Sequence, residues 1–198
     1  MSSRRGGRGK RRIPKHWVPV IALDLFRGEK IGAVLMGKPE SVIGRVLEVT
    51  LRDLTGSFEH EKYKLYYRVT EVEDGIVYGR FCKAAISRDF RASMIRRRSS
   101  LVELYVDSKT SDEIPVRHFH TIVTRYRIRT SMKRAIRKLV SEKLLEIIPT
   151  LTLDEYVKSV LFGSPIKLNE ELAQASRKIC PIKNVDLRKL LRTDMIRR

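Results

Sequence analysis

The sequence predicts an α+β fold, an antiparallel β-barrel-like core with packed helices, preceded by a disordered basic N-terminal arm at residues 1–16. Three observations predict it. Apolar residues alternate in short runs up to about residue 124, they recur at helical spacing from about residue 131, and the first twelve residues hold six Arg or Lys and almost nothing apolar. Residues 17–198 are therefore read as one α+β domain, β-rich to about 124 and mainly helical from about 131.

The arm, MSSRRGGRGKRR, has too little apolar surface to offset the entropy lost on ordering. It is expected to order only against a polyanion, with Arg4, Arg5, Arg8, Lys10, Arg11 and Arg12 as its contacts. From Trp17 the pattern turns to strands. GRVLEVTL (44–51) alternates, EKYKLYYRVTEV (61–72) alternates with Tyr63, Leu65, Tyr67 and Val69 on one side, and IVYGRFCK (76–83) follows. Asp74-Gly75 between the last two tolerates the positive φ of a tight hairpin. A second pair, 101–107 and 114–124, is joined by the polar linker SKTSDE. About five antiparallel strands with short connections point to a barrel or a strongly curled sheet.

Helices follow. SRDFRASMIRRR (87–98) opens on a Ser87 cap, with Phe90, Met94 and Ile95 on one face and Arg96, Arg97 and Arg98 outward. After Ser131 a longer helix places Met132, Ile136, Leu139, Val140, Leu144 and Ile147 on one stripe. Thr152 with Glu155 reads as a capping box and Gly163 as a stop signal. Asn169 starts a further helix that ends before Pro181, and the segment 182–191 is ambiguous between strand and helix.

The charge is one-sided: 42 Lys and Arg against 23 Asp and Glu, a formal net charge of +19. A polyanion is the expected partner, nucleic acid before an anionic membrane. No apolar run approaches the ~18 residues of a membrane helix, and the proline-interrupted segment after the basic start is no secretory signal. A cytosolic protein is expected, with Cys82 and Cys180 as reduced packing residues. The charge peaks in TRYRIRTSMKRAIRK (124–138), where Arg125, Arg127, Arg129, Lys133, Arg134, Arg137 and Lys138 stand without a carboxylate. Cations ahead of a helix N-terminus oppose its dipole, whereas phosphates reward them.

Other motifs are read as non-catalytic. GAVLMGKP (32–39) matches a phosphate loop up to its last position, but Pro39 stands where a magnesium-binding Ser or Thr is needed, and no strand is read ahead of it. His118 and His120 share a strand face but lack the further ligands zinc requires, which leaves strand packing or a nucleic-acid contact. Tyr63 and Tyr67 read as core. No nucleophile, base and orienting group occur together, so neither an enzyme nor a cofactor is expected.

The runs IGRVLEVTLRDLTG, KLYYRV, ISRDFRASMIRRRSSLVELYVDSKTSD, RTSMKRAIRK, LTLDEYVKSVLFG and RKICPIKNVDLRKLL, in this order between about Trp17 and Leu191, resemble the small-subunit ribosomal protein S-three-Ae family of archaea and eukaryotes. The motif LTLDEYVKSVLFG, and a C-terminus without a long charged extension, resemble its archaeal members. The resemblance implies a non-enzymatic constituent of the small ribosomal subunit in the cytoplasm. It implies contacts with ribosomal RNA and neighbouring ribosomal proteins on the platform near the messenger exit, with messenger RNA close by. It also implies a barrel-like core, RNA contact by Arg96 to Arg98 and Arg129 to Lys138, and a loop at GAVLMGKP. A free-standing RNA chaperone or regulator is the alternative that the charge alone leaves open.

Overall fold

The computed structural model describes residues 14–195; the arm residues Arg4, Arg5, Arg8, Lys10, Arg11 and Arg12 lie outside them. Eight strands are present among the described residues: β1 (His16–Ala22), β2 (Lys30–Met36), β3 (Val46–Thr50), β4 (Tyr63–Glu73), β5 (Ile76–Ile86), β6 (Leu101–Lys109), β7 (Pro115–Thr124) and β8 (Ile182–Arg192). Five α-helices accompany them: α1 (Leu51–Thr55), α2 (Arg88–Met94), α3 (Thr130–Ile147), α4 (Leu153–Phe162) and α5 (Leu168–Arg177).

The β4–β5 hairpin is the centre of the sheet. Asp74 and Gly75 both take positive φ, +47° and +76°, as a two-residue turn requires. Beyond the turn β4 pairs one edge of β5 along its length. The other edge of β5 is divided: Val77 to Gly79 take β1 in parallel, and Lys83 to Ala85 take β8 antiparallel. One wing therefore runs to β1 and β2 and the other through β8 and β7 to β6, while β3 joins the outer edge of β4. Gly79 lies where the wings diverge. A Cβ there would stand 3.3 Å from Tyr67 Cβ and 3.5 Å from Val20 Cγ1, so the strands approach closely and a side chain would push them apart by a few tenths of an ångström.

The expected barrel is not formed. β2 and β3 are the edges that closure would join, and they share no ladder. Leu47 lies near Gly32, and Arg45 Nη1, just ahead of β3, donates to the Leu35 carbonyl at 3.3 Å. Because the edge of β5 is divided, the sheet forks instead of rolling into one cylinder. Two further readings are corrected, and one left open is settled. GAVLMGKP is no loop, since Gly32 to Met36 belong to β2, paired with β1 from His16 onward. The strands are not all antiparallel, because β1 meets β5 in parallel. The segment 182–191 is the strand β8, which lies between β5 and β7 in the sheet.

The helices pack as their periodicity dictates. Ile136, Val140 and Leu144 of α3 are buried, with Met132, Leu139 and Ile147 against the same core. Thr152 and Glu155 form the reciprocal capping box of α4, and Gly163 ends it at φ +71°. Buried residues of both wings and of α3, α4 and α5 form one continuous core, in which Tyr63 and Tyr67 are fully enclosed. Cys82 and Cys180 are free and buried.

His118 and His120 belong to that core, with no measurable exposure, which removes RNA contact as a role for them. Their rings lie 5.9 Å apart, and His118 lies 5.7 Å from the Tyr156 ring of α4. No protein group hydrogen-bonds their ring nitrogens. Burial pushes His118 down to about 4 and His120 down to about 3, the latter helped by His118. The unfolded chain therefore takes up protons first as pH falls, so the stability due to neutral rings is complete above the ordinary histidine value near ~6.5 and is lost as pH falls through the folded values. Urea midpoints are expected to drop between pH 6.5 and 4.5, and to drop less in H118L/H120L, by up to ~1.4 kcal/mol per pH unit for each ring removed. Parallel pH profiles for the two proteins would contradict this burial.

Candidate nucleic-acid interface

Two basic loops are brought side by side by a pair of buried hydroxyls. α2 starts on Ser87, whose Oγ accepts the Phe90 N–H, but it stops at Met94, earlier than its sequence pattern. Ile95, expected on the buried face, is 45% exposed. Arg96 to Arg98 form a turn, with Arg98 at φ +64°, closed by Ser99, which accepts the Arg96 N–H through Oγ and donates back to its carbonyl. All three guanidinium groups face solvent.

The next residue, Ser100, fastens this turn to the segment after β7. Its backbone N–H donates to Thr124 Oγ1 at 3.0 Å, and its Oγ accepts the Ile128 N–H at 3.1 Å. Thr124 Oγ1 in turn donates to the Tyr126 carbonyl at 2.6 Å, and the Arg125 N–H donates to the Pro181 carbonyl at 3.0 Å. Both hydroxyl residues are buried. The result is a surface cavity of about 470 Å³ lined by Arg96, Arg97, Ser99, Arg125, Ile182 and Lys183, with no carboxylate. α2 is itself held by β8. Asp186 is buried, accepts the Tyr63 hydroxyl at 2.8 Å, and meets Asn184 Nδ2 at 3.2 Å, while Asn184 also reaches Met94 Sδ at 3.2 Å.

From the cavity the basic run continues into α3. Arg127 and Arg129 are exposed, and Arg129 precedes a helix that has neither a side-chain cap nor an acidic residue in its first turn. Lys133 is half-buried and Arg134 is exposed. Two residues of the run have partners within the protein. Arg137 Nε donates to the Glu103 carbonyl of β6 at 3.0 Å, and Lys138 meets Glu142 one turn on at 4.0 Å.

Several cations elsewhere are neutralised. Arg91 and Arg188 share Glu103, Arg117 grips Asp107 with two nitrogens, and Arg192 lies between Asp24 and Asp194. Arg96, Arg97, Arg98, Arg125, Arg127, Arg129, Lys133 and Arg134 make no ion pair among the described residues. A surface of guanidinium forks without internal partners, at an uncapped helix N-terminus, is suited to phosphate.

A sequence model of the ribosomal S3Ae family matches residues 10–193. The chain belongs to the ribosomal S3Ae family. It is 38% identical over 175 residues to the small ribosomal subunit protein eS1 of Staphylothermus marinus, covering 88% of this chain and 81% of the relative. To the eS1 protein of Ignicoccus hospitalis it is 35% identical over 193 residues, covering 96% and 89%. Membership makes it a structural ribosomal protein and not an enzyme.

The S3Ae chain carries three features of this surface that its sequence did not single out. Lys183 joins the cavity only because 182–192 is a strand placed beside β7. Tyr126, 61% exposed between Arg125 and Arg127, was legible as an aromatic interleaved with cations. The Ser100–Thr124 clasp left no local signal, because it spans 24 residues. Thr124→Val would strand the Ser100 N–H and the Tyr126 carbonyl. It is expected to cost ~1–3 kcal/mol in urea unfolding and to raise the protease sensitivity of residues 96–99 and 125–128 together. Unchanged protection of either loop would show that the clasp does not couple them.

Proposed function

We propose that this protein is a structural constituent of the small ribosomal subunit that binds ribosomal RNA by neutralising its phosphates. The observation carrying this reading is the carboxylate-free cavity of Arg96, Arg97, Arg125 and Lys183, continued by Arg127, Arg129, Lys133 and Arg134 toward the N-terminus of α3. Each phosphate bound there releases condensed counterion, and two-nitrogen guanidinium contacts fix the register of the RNA against a rigid sheet. Arg98 and Lys138, both exposed, are further contacts. Arg137 serves the fold first, through the Glu103 carbonyl, and offers its remaining nitrogens outward. The arm residues Arg4, Arg5, Arg8, Lys10, Arg11 and Arg12 extend the same contact.

The relatives named as small-subunit proteins support the assembly, and the family resemblance supports a place on the platform near the messenger exit, beside other ribosomal proteins and passing messenger RNA. The net charge of +19 is the expected signature of a chain that is neutralised only in such a particle. Its working location is then the cytoplasm, on the ribosome.

Replacing Arg96, Arg97 and Arg125 with Gln is expected to weaken binding to small-subunit rRNA and to lower the slope of log K against log salt by about 2–3, near one unit for each phosphate no longer neutralised. All three are exposed and unpaired, so stability should stay within ~0.5 kcal/mol of the parent. Full affinity in the variant, or a large fall in thermal stability with binding intact, would assign these residues to the fold.

A further inference from the structure

A second surface, separate from the arginine cavity, lies on the sheet face opposite α3 and α4, bordered by α2. Cross-strand register sets two rows there. Tyr105, Phe119, Lys189, Ala85 and Lys64 are successive partners from β6 to β4, and Asp107, Arg117, Leu191, Lys83, Tyr66 and Glu48 are successive partners from β6 to β3. None of these side chains belongs to the buried core. Their strand neighbours Leu104, Val106, Val116, His118 and Leu190 point the other way, into the core beneath α3 and α4.

The chemistry of this face is aromatic and cationic. Tyr105 is 65% exposed, and its ring lies 5.9 Å from that of Phe119, inclined by 36°. Lys189 Nζ is 5.8 Å from the Phe119 ring, and Lys83 Nζ lies 4.0 Å over Tyr66. The carboxylates are already taken: Asp107 by Arg117, with Nη2 on Oδ2 at 2.7 Å, Glu48 by Lys64 at 2.6 Å, and Glu103, two residues before Tyr105, by Arg91 and Arg188. Lys83 and Lys189 make no ion pair among the described residues. They lie on adjacent strands, and burial, then the neighbouring Lys189 charge, pushes Lys83 below the usual lysine range.

A face held together only for stability would place a carboxylate between two such ammonium groups and would not leave a tyrosine ring open to water. Both features favour a ligand with alternating flat rings and negative charge. We propose that this sheet face is a stacking platform for single-stranded RNA, with unpaired bases on Tyr105 and Phe119 and the backbone phosphates on Lys189 and Lys83. A paired A-form helix hides its base faces, so the aromatic row has nothing to stack on in a duplex. Strand-face aromatics with flanking lysines bind unpaired bases with little sequence preference. Phe119 and Arg125 are six positions apart, about 20 Å of extended chain. The platform and the arginine cavity are thus distinct contacts. The inference shares with the proposed function only the class of polymer bound.

The test uses the full chain with two probes, an oligouridine of about 12 nucleotides and a blunt RNA duplex of the same length, titrated at fixed salt. Tyr105→Ala is expected to weaken oligouridine about 5- to 150-fold, Tyr105→Phe to restore it, and duplex binding to stay unchanged in both. K83Q/K189Q should weaken oligouridine binding and reduce its salt slope by about 1–2. Arg96→Gln with Arg125→Gln should do the reverse, lowering duplex binding more than oligouridine. Unchanged oligouridine affinity in Tyr105→Ala, or equal losses for both probes, overturns the platform whether or not the arginine variant behaves as expected. If the arginine variant loses duplex binding while Tyr105→Ala and K83Q/K189Q leave oligouridine binding unchanged, the proposed function stands and the platform falls. Tyr105 is open to solvent beside Phe119 and Arg117, and a urea midpoint matching the parent confirms that Tyr105→Ala remains folded.

Discussion

The divided edge of β5 is the constraint on which the rest of this structure depends. One strand hydrogen-bonds three neighbours: β4 along one side, and β1 and β8 in turn along the other. The change of partner falls between Gly79 and Lys83, and Gly79 is the residue whose missing side chain lets Tyr67 and Val20 converge there. Two wings with different directions follow from that division. They share one core, but only the wing through β8 and β7 carries the loops on which the arginines are displayed.

Electrostatics completes the picture that packing begins. The protein spends its carboxylates on particular cations: Glu103 on Arg91 and Arg188, Asp107 on Arg117, Asp24 and Asp194 on Arg192. Two groups of cations are left without a carboxylate, one at the Ser100–Thr124 clasp and one on the open sheet face. Mutual repulsion within each group is tolerable because the hydroxyls, backbone ladders and core that hold the loops do not depend on those charges. Rigid scaffolding under an unsatisfied cluster is what pre-organises a binding surface for a polyanion.

Much of this was legible in the residues. The Asp74-Gly75 hairpin, the stripe of α3, and the Thr152–Glu155 box were readable because each is set by local chemistry: positive φ, a 3.6-residue period, and a reciprocal hydrogen bond. Closure of the sheet was not readable. Alternation says that strands exist and which side is buried, but not whether β2 finds β3, and here it does not. β2 itself was hidden because Ile31, Val34 and Met36 reach the core around a chain whose GAVLMG composition reads as a loop. The basic residues were legible as a run, whereas the cavity was not. It needs Arg96 and Lys183, 87 positions apart in numbering, brought together by β7 and β8.

The position of β8 has one more consequence. It is the last strand in chain order, yet it stands in the interior of the sheet, between the strand that begins the second hairpin's return and the strand at the hub. During synthesis, everything up to residue 181 can emerge while the β6–β7 hairpin has no ladder to β5, leaving two long open edges and the seats of α3 and α5 unfinished. Completion of the sheet must therefore wait for β8 and occur by its insertion, with many long sequence separations and folding correspondingly slow. A nascent polypeptide of this kind, strongly cationic and not yet zipped, would be the form most exposed to indiscriminate capture by nucleic acid, and its handling before assembly is as much a product of the topology as its final binding surface.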